Sequence, residues 1–251
     1  DKEKQKELKP LADRIRPKTL DGFIGQNNIT GKGKILSKSI QKGRIFSMIL
    51  WGPPGTGKTT LARIIANHLE SKFYQLNAVA SGVKDVRKII KIGRNRHQRG
   101  ATTLLFIDEI HRFNKAQQDA LLEAVESGDI ILIGATTENP SFEVISPLLS
   151  RCRVLRLNSL DTKDLKKILS NALENDTILK KLEIKFTQDT KDFLIESANG
   201  DARKLLNALE TTIDLAENSD GKIEVTPNIL KEALQNQTRL YDKKADYHYD
   251  T

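Results

Sequence analysis

The sequence has few cysteines and histidines, and each scarcity excludes a structural feature. Of 251 residues one is a cysteine, which rules out an internal disulfide, and the four histidines are scattered, so no metal-ligand cluster is visible. No apolar run approaches the ~20 residues that a membrane-spanning helix needs, and the sequence does not open with a signal-peptide pattern. Hydrophobic residues make up 38% of the chain and charged residues 29%. This composition indicates a globular protein of a reducing compartment, with no membrane partner.

The strongest chemical signal is a glycine-rich turn between an apolar run and a helical pattern. Residues 48–51 are apolar, 52–59 fit the pattern G-x-x-x-x-G-K-[ST], and 61–66 have helical periodicity. Glycines let backbone N–H groups turn inward around an anion, and a helix N-terminus adds its dipole and unpaired donors. The pattern therefore predicts the phosphate loop of a nucleotide site, in which Lys58 reaches the β- and γ-phosphates and Thr59 ligates Mg²⁺. The predicted nucleotide-binding residues of this loop are Gly52, Pro53, Pro54, Gly55, Thr56, Gly57, Lys58, Thr59 and Thr60.

A second apolar run, residues 103–107, ends in two adjacent carboxylates. Such a continuous run is expected for a strand that is buried on both faces, and the pair that follows it matches a Walker B motif. In that interpretation Asp108 holds Mg²⁺, directly or through water, and Glu109 orients and activates the attacking water. Asp108 to His111 also fits the DExH box of helicases, but a helicase of that type needs a second RecA-like lobe, for which the remaining sequence leaves no room.

A third buried strand is predicted over 130–137, and it ends in hydroxyl side chains. A polar residue at the end of a strand between the two Walker strands can contact the γ-phosphate or the attacking water. Thr137 is the first choice for this sensor, with Thr136 and Asn139 close by.

The net charge of +8 is concentrated in residues 81–100, where seven Lys and Arg face a single Asp, a local net charge of +6. On a helix, four of these residues follow i, i+3, i+4, i+7 spacing and form one stripe, opposite an apolar side. Ser81 and Gly82 would open the helix, where N-terminal donors can hold a phosphate. The stripe is either a solvated charged face or a contact surface for nucleic-acid backbones. The predicted DNA-binding residues are Ser81, Gly82, Lys84, Arg87, Lys88 and Lys91.

From Asp161 onward the pattern becomes helical, with four amphipathic segments, of which the last is capped by Thr226 and begins with Pro227. The predicted fold class is α/β, a P-loop NTPase domain with a five-stranded parallel sheet followed by a small four-helix lid. The predicted organisation is a leader or linker over 1–19, the nucleotide-binding domain over 20–158, the helical lid over 159–238 and the start of a truncated C-terminal region over 239–251.

Several motifs together resemble an AAA+ ATPase of the clamp-loader clade. They are the phosphate loop, Asp108-Glu109, Ala135-Thr136-Thr137, Ser150-Arg151-Cys152 and Gly200-Asp201-Ala202-Arg203. More narrowly, Pro10 to Pro17, Asn77 to Arg87 and Ile133 to Phe142 are similar to the replication-associated recombination protein A family, which includes the Werner-helicase-interacting ATPases. The resemblance covers nearly the whole chain.

The resemblance implies roles that spacing alone does not supply. Arg151 resembles an arginine finger that reaches the γ-phosphate of a neighbouring subunit, and Arg203 resembles the sensor 2 residue of the lid. Asn77 resembles the switch residue that restrains the Walker B glutamate until DNA or a partner arrives. Ile24 and Gly25 resemble the segment that packs on adenine, and the region from Ser81 to Arg87 corresponds to the one that faces DNA in clamp loaders.

The resulting expectation is a Mg²⁺-dependent, DNA-dependent ATPase at stalled or gapped replication forks. Its expected partners are single-strand–duplex junctions or forks, further copies of itself, and single-strand-binding protein or other replisome components. It is expected to be the ATPase core of a longer protein, cytoplasmic (nucleoid) in a bacterium or nuclear in a eukaryote. A clamp-loader subunit, a branch-migration motor and an ATP-gated scaffold that recruits replication and repair partners remain open alternatives.

Overall fold

The computed structural model describes residues 9–216, 218–219 and 222–235. The helices are α1 (Leu11–Arg14), α2 (Asn27–Thr30), α3 (Ile35–Gln41), α4 (Lys58–His68), α5 (Val83–His97), α6 (Lys115–Glu126), α7 (Pro140–Glu143), α8 (Ser146–Leu149), α9 (Thr162–Asn175), α10 (Gln188–Ala198), α11 (Ala202–Leu215) and α12 (227–235). The strands are β1 (Met48–Trp51), β2 (Lys72–Asn77), β3 (Thr103–Asp108), β4 (Ile131–Thr136), β5 (Arg153–Arg156), β6 (Glu183–Phe186), β7 (Asn218–Ser219) and β8 (Lys222–Val225). Single-turn 3₁₀ helices lie at Ile110–Arg112 and Leu179–Lys181.

The chain divides into two units, one formed by residues 17–159 and the other by the described residues of 1–16 and 160–251. The first unit contains a sheet of five parallel strands in the order β2-β3-β4-β1-β5. This confirms the predicted α/β class with its five-stranded parallel sheet. It also confirms that the strand carrying the predicted sensor, β4, lies between β3 and β1.

Both faces of this sheet are covered, which explains why its central strands are apolar without interruption. Successive side chains of a strand point to opposite faces, so Leu104 and Phe106 join one core cluster with helix α4. Leu105 and Ile107 join the other cluster, with α5 and α6. The central strands β1, β3 and β4 can therefore hold polar residues only where they begin or end.

The second unit packs α9, α10, α11 and α12 around a core that includes Leu169, Leu194, Leu209 and Leu230. These helices correspond to the four that the sequence predicts. The unit also contains a three-stranded sheet in the order β6-β8-β7, which the sequence did not predict. Its strands are two to four residues long, too short for a period-2 pattern to stand out.

Residues 9–16, predicted as part of a leader, pack with the helical unit. Leu11 is fully buried in its core, and Arg14 donates hydrogen bonds to Asp176 (Nε to Oδ2, 2.8 Å) and to Glu210 (Nη1 to Oε1, 2.9 Å). Burial alone would raise the pKa of Asp176, but hydrogen bonds from Arg14 and from the N–H groups of Leu179 and Ile178 outweigh it and hold this pKa below its ordinary value.

The division at 159/160 falls next to the predicted boundary at 158/159. The C-terminal region predicted over 239–251 lies outside the described residues. No helix in the described part of the chain is long and apolar enough to cross a membrane.

Candidate nucleotide site

The phosphate loop connects the end of β1 to the first turn of α4. Gly52 lies so close to the chain after β5 that an added Cβ would be 2.2 Å from the carbonyl oxygen of Leu157. Gly57 is the N-cap of α4 with a φ of 98°, in the left-handed region, and an added Cβ would be 2.7 Å from the ring of Phe23. No side chain caps the N-terminus of α4, and the helix dipole favours an anion at that end. The loop therefore has the cradle shape that a nucleotide phosphate requires.

Lys58 is the first residue of α4, and its side chain is buried. Its ammonium group donates to two carbonyls of the loop, those of Gly52 (2.6 Å) and Pro53 (2.7 Å). Thr59 and Thr60, in the same turn, are partly exposed. The charge of Lys58 and the Thr59 hydroxyl thus stand beside the loop, where phosphates would be bound.

Gln26 is a residue of this site that the sequence reasoning did not assign. It directly follows the predicted adenine segment of Ile24 and Gly25, has a φ of 60° and is buried. Its amide Nε2 donates to the carbonyl oxygen of Asn158 (2.7 Å) and to that of Thr56 in the loop (3.3 Å), while its Oε1 accepts from the Asn158 N–H (2.9 Å). One side chain therefore ties the phosphate loop to the chain that leaves β5.

The two Walker B carboxylates lie where β3 ends. Asp108 is the last residue of the strand, and its carbonyl accepts from the N–H of Ala78, next to the end of β2. Glu109 has a φ of 55°, a left-handed conformation that is uncommon for a residue with a side chain. Its Oε2 lies 3.3 Å from Nε2 of His111. The backbone turn thus separates the two carboxylates immediately after the strand.

The predicted switch and sensor residues lie on either side of β3. Asn77 ends β2, and its side-chain oxygen accepts from the Val79 N–H (2.9 Å). Thr137 is exposed directly after β4, whereas Thr136 is fully buried. The Thr136 carbonyl accepts from the Gly52 N–H at 3.1 Å. The phosphate loop and the predicted sensor strand are therefore joined at the carboxyl edge of the sheet.

The two predicted arginines are placed on different units. Arg151 follows α8 in the sheet unit and forms an ion pair with Glu126. Its Nε (2.6 Å) and its Nη2 both donate to Oε1 of that carboxylate. Its Nη1 donates to the Pro147 carbonyl at 2.7 Å. Arg203 lies in the first turn of α11 in the helical unit, where its N–H donates to the capping carboxylate of Asp201 (2.8 Å).

The basic helix predicted over 81–100 is α5, and its predicted stripe is exposed. Residues 84, 87, 88 and 91 all face solvent, while Val86 and Ile89 are buried beneath them. The predicted N-terminal donors are partly used, because the Asp85 carboxylate accepts from the N–H of Gly82 (2.8 Å). Farther along, Arg94 is paired with Asp129 and Glu123. The four exposed cations are therefore the part of this helix that is open to a polyanion.

The residues that the structure brings together fit a nucleotide with its metal ion. In the described part of the chain no cluster of three or more His, Cys, Asp or Glu could hold a metal alone. Mg²⁺ bound with a nucleotide needs only one or two protein ligands besides phosphates and water, a set that the Thr59 hydroxyl and the Asp108 carboxylate can supply. Ligand crevices in parallel sheets lie at the carboxyl ends of the strands, where this loop and these carboxylates are. Fold and site define a P-loop nucleotide-binding protein.

Comparison with known proteins identifies the family. Residues 48–160 match the "ATPase family associated with various cellular activities (AAA)", and residues 180–251 match the "AAA C-terminal domain". Replication-associated recombination protein A of Escherichia coli (strain K12) is 47% identical over 245 residues, which are 97% of this chain and 55% of that protein. ATPase WRNIP1 of Dictyostelium discoideum is 41% identical over 263 residues, 98% of this chain and 30% of that protein.

Among solved structures, the Thermotoga maritima RuvB Holliday junction branch migration motor has a TM-score of 0.70 and 31% sequence identity, covering 88% of this chain and 72% of that one. The chain therefore belongs to the AAA+ ATPases, in the family of replication-associated recombination protein A, which confirms the resemblance found in the sequence. It spans about half the length of the bacterial relative that it matches.

Proposed function

We propose that this chain is a DNA-dependent ATPase that hydrolyses ATP to ADP and phosphate and acts in replication-fork maintenance and recombination repair, in the nucleoid or the nucleus. The observation that carries the proposal is the exposed basic stripe on α5, within the same unit as the phosphate loop. DNA carries a dense negative charge, and lysines that neutralise its phosphates supply most of the non-specific affinity. The printed names of the relatives, which refer to replication, recombination and a Holliday junction, support DNA as the partner.

In the proposed reaction Lys58 transfers its donors from the loop carbonyls to the β- and γ-phosphates. Thr59 and Asp108 are the ligands assigned to Mg²⁺, which would neutralise charge on the phosphates. Glu109, just beyond the metal ligand, accepts a proton from the attacking water. Because Glu109→Gln removes the base but keeps its volume, we expect that variant to bind ATP without turning it over.

The remaining assignments concern how hydrolysis is controlled. We assign Thr137 and Arg203 to sensing the γ-phosphate, Asn77 to restraining Glu109, and Ile24 with Gly25 to packing on adenine. Arg151 would act on the nucleotide of a neighbouring copy in a homo-oligomer. To do so it must release Glu126, its present ion-pair partner.

The test of DNA dependence is a matched pair of charge reversals. Lys84 and Lys88 lie at the second and sixth positions of α5, and Lys163 and Lys167 lie at the same positions of α9. All four are exposed, so each double Lys→Glu variant changes the net charge by the same amount at equivalent helix positions. We expect Lys84→Glu/Lys88→Glu to abolish stimulation of ATP hydrolysis by junction DNA and to leave the basal rate unchanged, whereas Lys163→Glu/Lys167→Glu should retain the stimulation.

Salt dependence separates phosphate contact from a structural effect. Each phosphate contact contributes about 0.9 to the slope of log affinity against log salt concentration for duplex DNA. If both lysines contact phosphates, Lys84→Ala/Lys88→Ala should lower that slope by roughly 2. An unchanged slope, together with unchanged stimulation in the charge reversal, would refute the stripe as the DNA surface.

A branch-migration motor is the second candidate, and the similarity to the RuvB structure is the observation that favours it. The two functions differ in product. A motor should convert a four-way junction with arms of fluorescently labelled DNA into separated duplexes in an ATP-dependent reaction, whereas a DNA-gated ATPase without translocation should hydrolyse ATP and leave the junction intact.

A further inference from the structure

His111 is a buried side chain next to the candidate catalytic carboxylate that the proposed reaction has not used. It lies in the 3₁₀ turn after β3, and its side chain is 7% exposed. Both ring nitrogens have a partner: Nε2 lies 3.3 Å from Glu109 Oε2, and Nδ1 lies 3.0 Å from Thr136 Oγ1. The ring therefore spans from the end of β3 to the end of β4.

The partners determine how the ring is protonated. A carboxylate oxygen attracts an N–H group and repels a nitrogen lone pair, so the Nε2 that faces Glu109 carries a proton. Oγ1 of Thr136 accepts the N–H of Glu138 at 3.0 Å, and it can donate its own proton to Nδ1 or to the Glu138 carbonyl oxygen, which is 3.2 Å away. The imidazole therefore links the Thr136 hydroxyl to the Glu109 carboxylate.

Thr136, which holds the imidazole at Nδ1, is fixed by the sheet. Thr136 is fully buried at the end of β4, a strand paired on both sides, and its carbonyl accepts from the phosphate-loop residue Gly52. Glu109, by contrast, follows the strand in a left-handed conformation and has a side chain that is 34% exposed. Among the hydrogen bonds and ion pairs of the described residues, the one with His111 is the only one of this carboxylate, while the Asn77 oxygen accepts from the Val79 N–H.

We propose that His111 is a positioning residue that orients the Glu109 carboxylate for water activation, with Thr136 fixing the imidazole. The inference rests on the proposed role of Glu109 as the base. A base that is free to rotate spends little time aligned with the water, so the rate of the chemical step falls while nucleotide affinity does not.

The test measures single-turnover ATP hydrolysis with junction DNA, and ATP affinity with a fluorescent ATP analogue. We expect His111→Ala to lower the rate about 10- to 100-fold with affinity within about 3-fold of the parent. His111→Gln, which offers an amide N–H toward Glu109, should recover most of the rate. Thr136→Val, which keeps the shape and removes the hydroxyl, should show a smaller loss. The proposal would be overturned if His111→Ala hydrolysed ATP at the parental rate or faster. It would also be overturned if His111→Gln were as slow as His111→Ala.

A double-mutant cycle separates this inference from the proposed function. If His111 acts through Glu109, His111→Ala should not slow the residual single-turnover hydrolysis of the Glu109→Gln variant any further. A further loss of the same size would show that His111 acts elsewhere and would overturn the proposal. Rapid hydrolysis by Glu109→Gln alone would instead remove Glu109 as the base, which is a failure of the proposed function. If His111→Ala does not fold, the single-turnover rates and ATP affinities of His111→Gln and Thr136→Val test the proposal instead.

Discussion

Gly52 is the position at which a single added methyl group should do most damage to the site. In Gly52→Ala the new Cβ would stand 2.2 Å from the Leu157 carbonyl oxygen, where an ordinary contact is about 3.4 Å. The carbonyl cannot easily give way. The N–H of Leu157 donates to Trp51 at 2.7 Å, and the next residue, Asn158, is bonded at both its N–H and its carbonyl by Gln26.

The phosphate loop must therefore move by about 1 Å. A displacement of that size in a reacting group costs on the order of 100-fold in rate, and overpacking costs about 1–3 kcal/mol of stability. We expect Gly52→Ala to lower kcat/KM for ATP by about 100-fold, with a lower melting temperature.

Gly33→Ala is the matched control. Gly33 has a φ of 79° and nothing within 4 Å of an added Cβ, so alanine there costs about 1 kcal/mol of backbone strain and leaves the loop in place. It should reproduce part of the loss in melting temperature with full ATPase activity. If kcat/KM of Gly52→Ala were within about 3-fold of the parent value, the Leu157 carbonyl would be able to move aside, which would refute the prediction.

Two further predictions concern ion pairs. Arg14→Leu leaves the Asp176 carboxylate buried without its partner, and we expect about 3–5 kcal/mol lower stability in urea at neutral pH. Because the folded-state pKa of Asp176 is lowered, its stabilising contribution is present above the ordinary value of 3.8 and is lost as pH falls below it. The difference in unfolding free energy between the parent and Arg14→Leu should therefore become smaller on acidification. A difference that does not change with pH would contradict this account. Glu126→Gln should change stability by less than about 1 kcal/mol, since its pair with Arg151 is exposed, yet should raise hydrolysis in an oligomer by freeing the arginine; a slower rate would show that Glu126 orients Arg151 instead.

The five-stranded parallel sheet could be predicted from the sequence because its strands follow from local patterns. The run over 103–107 is uninterrupted because both faces of β3 are covered, and the observed strand ends one residue later, at Asp108. Because the carboxyl ends of parallel strands lie at one edge of a sheet, the sequence pattern alone assigns the phosphate loop, Asp108 and Thr137 to the same edge. The small sheet of the helical unit was not predicted because β6, β7 and β8 are too short to show an alternating pattern of apolar and polar residues.

The contacts that shape the site could not be predicted in this way. Gln26 reaches Asn158 across 132 residues of sequence, and Thr136 reaches His111 across 25. The second pairing depends on β3 and β4 being neighbours in the sheet, and the first on the segment before α2 lying beside the chain after β5. No local pattern of residue types encodes either arrangement. A histidine after Asp-Glu stood out in the sequence, but only as part of a helicase-like box, because its partner is contributed by another strand.

The chain after β5 connects these observations. Leu157 limits the space around Gly52, and Asn158 holds Gln26, which in turn holds Thr56 in the loop. One residue later, after Ser159, the chain enters the helical unit. One of the two covalent connections between the units, the one at 159/160, therefore begins beside the phosphate loop. The hydrogen bonds of Gln26 to Asn158 and Thr56 therefore link the phosphate loop directly to the chain that leaves β5.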